Sequence, residues 1–265
     1  MKVAAYVGGI GVLGPGLGNW PDASAVLSGQ RPYAPAPTVL PMPTLLPATE
    51  RRRTGRVVKL ALAVALEATT RAGAEPAHLP SVFSSSGGDG HNCHEICQAL
   101  ALEPREISPT RFSNSVHNAS SGYWSIATGA ERESTVLCAF DASFCAGLLE
   151  ALTQVVVDEE SILLVAYDSE YPDPLHAKRP VPDAFGTALV LTPHREAGSL
   201  ARIEATLGCE PIDSLTDPHL EALRVSIPAA RSLPLLRQLA MHERGRTVLE
   251  YLDVSNAIVQ VDPCN

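Results

Sequence analysis

One stretch restricts the fold more than any other. From Phe112 to Asp168 the chain reads FSNSVHNASSGYWSIATG, then ESTVLCAFDASFCAGLLEALTQVVVDEE, then SILLVAYDSE. The first part is a polar loop entering a helix. The second is a short buried strand that turns sharply into a long apolar helix, and the third is another buried strand. Strand, helix and strand in this order make an α/β protein. The turn Phe140-Asp141-Ala142-Ser143 sits where many α/β enzymes hold a nucleophile, because unpaired N–H groups and the helix dipole favour negative charge there.

The flanking sequence adds elements and removes some functions. Lys2 to Val7 reads as a strand, followed by the Gly/Pro loop GGIGVLGPGLGN. Gly9-Ile10-Gly11-Val12-Leu13-Gly14 has the G-x-G-x-x-G spacing of a dinucleotide site. Pro15, Gly16, Gly18 and Pro21 then follow where a helix must open, so a nucleotide is not expected. Residues 31–49 form a Pro-rich extended segment. Glu50-Arg51-Arg52-Arg53 leads into the helix VVKLALAVALEATTRAG, with Gly73 as its C-cap. Leu79 to Phe83 is a short strand ending in the small-residue loop from Ser84 to Gly90. A helix from His91 to Leu102 carries His91, Cys93, His94 and Cys97. That spacing cannot bring four ligands tetrahedrally onto one ion, so no metal is expected. Further strands are expected at 185–191 and 201–207, an irregular segment at 209–222, a helix from Leu233 to His242, and one or two strands within 248–261.

Composition narrows the partners. The 265 residues are 45% hydrophobic, enough for a sizeable core, and the net charge of −9 comes with no basic run beyond Arg51–Arg53. Nucleic acid and anionic membrane are therefore poor partners. No stretch of about 18 uninterrupted apolar residues occurs, so no transmembrane span is expected. The apolar N-terminus before Ala23-Ser24-Ala25 imitates a signal peptide, but its glycines and Pro15 make it a poor helix. The expected location is the cytoplasm. The six cysteines suggest no disulfide framework, and Cys138 and Cys145 lie in apolar surroundings that keep thiols inert. No cofactor motif, G-x-S-x-G elbow, H-E-x-x-H or Walker loop is present.

The order strand–loop, ERRR helix, S-S-S-G-G loop, P-x-x-F (Pro109 to Phe112), N-x-V-x-N-x-x-x-G (Asn114 to Gly122), helix, strand, turn, G-L-L-E-A helix and strand resembles the N-terminal half of a beta-ketoacyl synthase of the thiolase fold. The resemblance covers residues 1–192 and is most specific over 109–169. It implies a thiolase-like layered αβαβα fold with a truncated, degenerate second half. In that reading 1–265 is a single domain, with a ketosynthase-like core at 1–192 and a reduced C-terminal half at 193–265. Placed without gaps from Gly129 to Ser169, the family's catalytic cysteine falls on Asp141, which cannot form the thioester. The family's two histidines and lysine come from a C-terminal half for which too few residues remain. His194, His219 and His242 do not sit in its motifs. The resemblance therefore implies a non-catalytic, chain-length-factor-like subunit. Such a subunit pairs with an active ketosynthase, meets an acyl carrier protein through the complex, and shapes the acyl tunnel in polyketide or aryl-polyene synthesis.

Residue expectations follow. Asp141 is a reasonable N-cap for the helix after the turn. The edge strand Ser134, Thr135, Val136, Leu137, Cys138, Ala139 and Phe140 is expected to pair with the partner subunit, since a free apolar edge invites association. Phe112, Asn114, His117, Asn118, Tyr123 and Trp124 are tunnel candidates, with core packing and loop hydrogen bonds as the competing use. His117 by itself is more often a hydrogen-bonded structural histidine than a base. The alternative is a free-standing thiolase-fold acyltransferase that uses Cys138, Cys145 or His117. A weaker one is a carrier-docking or scaffold module.

Overall fold

A computed structural model describes residues 2–264. In chain order the elements are β1 (Lys2–Leu13), α1 (Trp20–Leu27), α2 (Ala48–Arg51), α3 (Arg56–Ala72), β2 (Ser81–Ser84), α4 (Gly90–Ala101), α5 (Pro109–Ser113) and α6 (Ala119–Thr128). They continue with β3 (Ser134–Leu137), α7 (Ser143–Asp158), β4 (Ile162–Asp168), β5 (Phe185–Thr192), β6 (Ala201–Gly208), α8 (Pro218–Ser226), α9 (Leu233–Ala240), β7 (Gly245–Leu252) and β8 (Ser255–Pro263).

The strands form one eight-stranded mixed sheet in the order β3-β2-β4-β5-β1-β6-β8-β7. β2 runs parallel to β3 and β4; the other pairings are antiparallel. Every residue of β4 and β5 is buried, because helices cover both faces at the centre of the sheet. α3 and α6 pack on one face; α1, α7 and α9 pack on the other. This is the thiolase-like ketosynthase architecture at half size. The residues after 192 extend the first sheet through β6, whose register with β1 runs from Lys2 opposite Thr206 to Val7 opposite Ala201.

β1 runs straight through the segment expected to be a Gly/Pro loop. The reason is α3, which crosses so closely that a Cβ on Gly9 would lie 2.2 Å from the Ala68 carbonyl oxygen, and one on Gly11 2.0 Å from that of Val64. Glycine lets helix backbone touch strand backbone. The G-x-G-x-x-G pattern is thus a packing device. Gly73 ends α3 with φ 64°, the left-handed C-cap that its position predicts.

Two other expectations need correction. The segment 209–222 is not wholly irregular, because α8 opens at Pro218, where the Asp217 carboxylate accepts the N–H groups of His219 and Leu220. The edge strand is also shorter than expected. β3 stops at Leu137, and Phe140 enters a 3₁₀ turn (Phe140–Ala142) with φ 52°, a conformation no strand residue holds. Phe140–Asp158 is long and apolar enough to cross a membrane by composition, with a mean hydropathy of 1.4 over 19 residues. Its Phe144, Leu148, Leu152 and Val155 are instead buried in the core of the sheet's helical layer.

Candidate functional site

Because β2, β3 and β4 are parallel, their C-terminal ends emerge side by side. Three segments meet there: the small-residue loop after β2, the turn after β3, and the loop after β4. Asp168, the last residue of β4, ties the first of them to the segment 228–232. Its buried carboxylate accepts the Ser86 N–H at 2.8 Å, the Ser86 Oγ–H at 2.7 Å and the Ala229 N–H at 2.9 Å. Burial pushes its pKa up to about 6; the Ser86 and Ala229 hydrogen bonds and the charge of Arg179 oppose that rise.

Asp141 does not cap α7. The cap position is Ala142, which makes no side-chain cap bond. Ser143 does the local work, its hydroxyl accepting the Ala139 N–H at 3.0 Å and donating to the Phe140 carbonyl at 2.7 Å. The Asp141 carboxylate is drawn sideways instead, to Arg179 at 2.7 Å and Arg231 at 3.1 Å. Charge-assisted bonds to two guanidinium groups outweigh a single cap bond. Arg231 also pairs with Glu250, and the Arg179 guanidinium lies 3.7 Å from the centre of the Phe140 ring. The turn therefore holds an ionic cluster of Asp141, Arg179, Arg231 and Glu250.

The thiols offer little in its place. The Cys145 thiol is buried, and its pKa rises to about 12 by desolvation. Cys138 is exposed, and its S–H donates to the Ser86 carbonyl at 3.2 Å. The His117 Nε2 is buried and has no hydrogen-bond partner among the described residues.

The tunnel candidates separate. Asn114 and Tyr123 are joined, the tyrosine hydroxyl donating to Asn114 Oδ1 at 3.1 Å, and with Asn118 they line an open cleft of about 400 Å³ beside Val116 and Ile126. His117 faces a much smaller cavity with Ser120 and Tyr167. Phe112, on α5, is 68% exposed. Trp124 belongs to the core beneath α3. β3 lies at the end of the sheet, with Ser134, Cys138 and Phe140 exposed and Thr135, Val136, Leu137 and Ala139 partly buried. Exposed Leu100, Leu102, Val116 and Ile126 add apolar surface on α4, α6 and their flanking loops. Among the described residues no three His, Cys, Asp or Glu side chains are arranged to hold a metal ion.

Reading the sequence alone missed Asp168, Ser86, Arg179 and Arg231. Asp168 had a signal, a lone acid closing an all-apolar strand, where only a well-bonded carboxylate can be buried. The arginines had none, since each lies far along the chain from the turn it serves.

A layered α/β sheet with a nucleophile-type turn after a short parallel edge strand defines a thiolase-like condensing-enzyme scaffold. Residues 27–243 match the family described as beta-ketoacyl synthase, N-terminal domain, and the chain belongs to that family. Among solved structures it is similar to a chain of the ketosynthase ApeO in complex with its chain length factor ApeC from Xenorhabdus doucetiae. That match has 25% identity and a TM-score of 0.72, covering 97% of this chain and 99% of that one. The ishigamide ketosynthase/chain length factor matches with a TM-score of 0.73 and 12% identity, over 99% and 100% of the two chains. A type II polyketide synthase acyl-carrier protein in complex with its ketosynthase (AntDE:AntF) matches with a TM-score of 0.77 and 10% identity, over the whole of both. No curated protein matches the sequence.

Proposed function

We propose that this chain is a non-catalytic, chain-length-factor-like subunit that pairs with an active beta-ketoacyl synthase and completes its acyl tunnel in polyketide or aryl-polyene synthesis. The observation that carries this reading is Asp141. In a family whose chemistry needs a thiolate at that turn, the position holds a carboxylate clamped by Arg179 and Arg231. A carboxylate held by two guanidinium groups is a weak nucleophile and cannot form the thioester that the family's cysteine forms.

The sheet edge supports a partner. β3 offers backbone groups with no strand on their outer side among the described residues, and Phe140, just beyond it, is exposed. Edges of this kind are covered in stable proteins. In this reading Ser134–Phe140 meets the ketosynthase, Phe112 reaches toward its acyl pocket, and Asn114, His117, Asn118 and Tyr123 shape the adjoining wall. Residues 1–192 act as the family core, and 193–265 as the reduced second half that closes the sheet. The acyl carrier protein is met through the assembled complex.

Cys138 favours a second reading, an acyltransferase with a displaced nucleophile, because it is an exposed thiol close to the turn. Its hydrogen bond to a backbone carbonyl speaks against activation. Co-expression with a ketosynthase encoded beside it, followed by size-exclusion chromatography, tests the main reading. A stable heterodimer is the expected result; a soluble monomer that ignores the ketosynthase rejects it.

A further inference from the structure

We infer a second ligand site, far in sequence from the turn, that binds a lipophilic carboxylate of medium chain length. It is a groove of about 410 Å³ between the outer face of α3 and the segment 41–45. That size falls within the range of small-molecule sites.

The groove is held open by the chain that roofs it. Thr38 pins one end, its N–H bonded to Asp183 Oδ2 at 2.9 Å and its hydroxyl to the Ala184 carbonyl at 2.8 Å. Leu46, 1% exposed, pins the other. Between these anchors Pro41 and Pro43 restrict the backbone, and the Leu46 N–H closes a turn on the Pro43 carbonyl at 3.1 Å. Met42 and Leu45 remain 63% and 47% exposed. The floor is a stripe at helical spacing, Leu62, Ala63 and Leu66, running from Lys59 toward Thr70. The twelve helix residues from Lys59 to Thr70 span about 16 Å, room for a single extended alkyl chain along the groove.

Charge selects the head group. Glu67 and Arg71 pair at 3.1 Å, and Glu67 also accepts the N–H groups of Val12 and Trp20, so both charges at that end are committed. Lys59 has no ion pair or side-chain hydrogen bond among the described residues. The groove therefore presents one uncommitted cation at the end of an apolar stripe, complementary to an alkyl chain ending in a carboxylate.

The test is calorimetric titration of the full chain with octanoate, decanoate, decanol and decyltrimethylammonium below their micellar concentrations. Decanoate is expected to bind better than decanol and much better than the ammonium. Each added methylene should tighten binding by about fourfold, the value of burying one CH₂. Lys59→Met should weaken decanoate by roughly two- to fivefold, as for a half-exposed ion pair, without changing decanol. Leu66→Asp should abolish binding of all four while thermal melting shows a folded chain. Equal binding of carboxylate and ammonium, binding that survives Leu66→Asp, or no binding of decanoate to the wild type would each overturn the assignment. Ketosynthase association of both variants, followed in parallel by size exclusion, is expected to stay at the wild-type level. Failure of this site is thereby separated from failure of the proposed subunit role.

Discussion

Asp168 is a buried carboxylate whose folded pKa lies near 6, well above its ordinary value. Between about pH 4 and 6 the folded chain keeps a proton that the unfolded chain has released, so this group's stabilising contribution falls as pH rises through that window. Two pKa units correspond to roughly 3 kcal/mol as an upper limit. Urea melts of the wild type and Asp168→Asn at pH 4, 5, 6 and 7 measure this: the wild type's advantage over the variant should be largest at pH 4 and shrink by up to that amount by pH 7. A pH-independent difference would remove Asp168 as the titrating group. Phe112 carries a prediction about product. If its exposed ring limits the ketosynthase pocket, Phe112→Ala in the reconstituted synthase should lengthen the product, read by mass spectrometry; an unchanged product distribution assigns the ring to contact alone. At this scale the sequence was only half legible. Asp141 at the turn shows directly, whereas its arginine partners are set by tertiary placement that local pattern does not encode.

Elements were more legible, with instructive exceptions. α3, α7, β4 and α9 follow from hydrophobic spacing because each buries a broad apolar face. β1 was cut short in the reading because its glycines look like a loop, and only the crossing of α3 explains them. Gly11→Ala would drive a Cβ to 2.0 Å from the Val64 carbonyl oxygen, while the same change at Gly8 meets nothing closer than 3.7 Å. Gly11→Ala should therefore cost about 2 kcal/mol or more, and Gly8→Ala should fall within about 1 kcal/mol of wild type, by denaturant unfolding. Comparable costs at both positions would refute the close crossing. The edge strand supplies a second test. Thr135→Pro removes a backbone donor from β3 and obstructs edge pairing. It should weaken ketosynthase binding at least tenfold, measured by surface plasmon resonance, while far-UV circular dichroism stays near wild type. Undiminished binding would place the interface elsewhere.

As a whole molecule, the chain has a ketosynthase-type fold, with an ionic cluster at the turn after β3. The fold class was readable because strand, helix and turn order is local information. How the last seventy or so residues attach was not readable: β6 reaches back to β1 by long-range pairing, and β8 and then β7 add on beyond it. The central claim is that this subunit shapes the acyl chain and never carries it. The most direct measurement is intact mass spectrometry of the complex with its ketosynthase after incubation with an acyl-thioester donor. The acyl adduct is predicted on the ketosynthase alone, with the mass of this chain unchanged. A stoichiometric adduct on this chain that disappears in Cys138→Ser would contradict the claim.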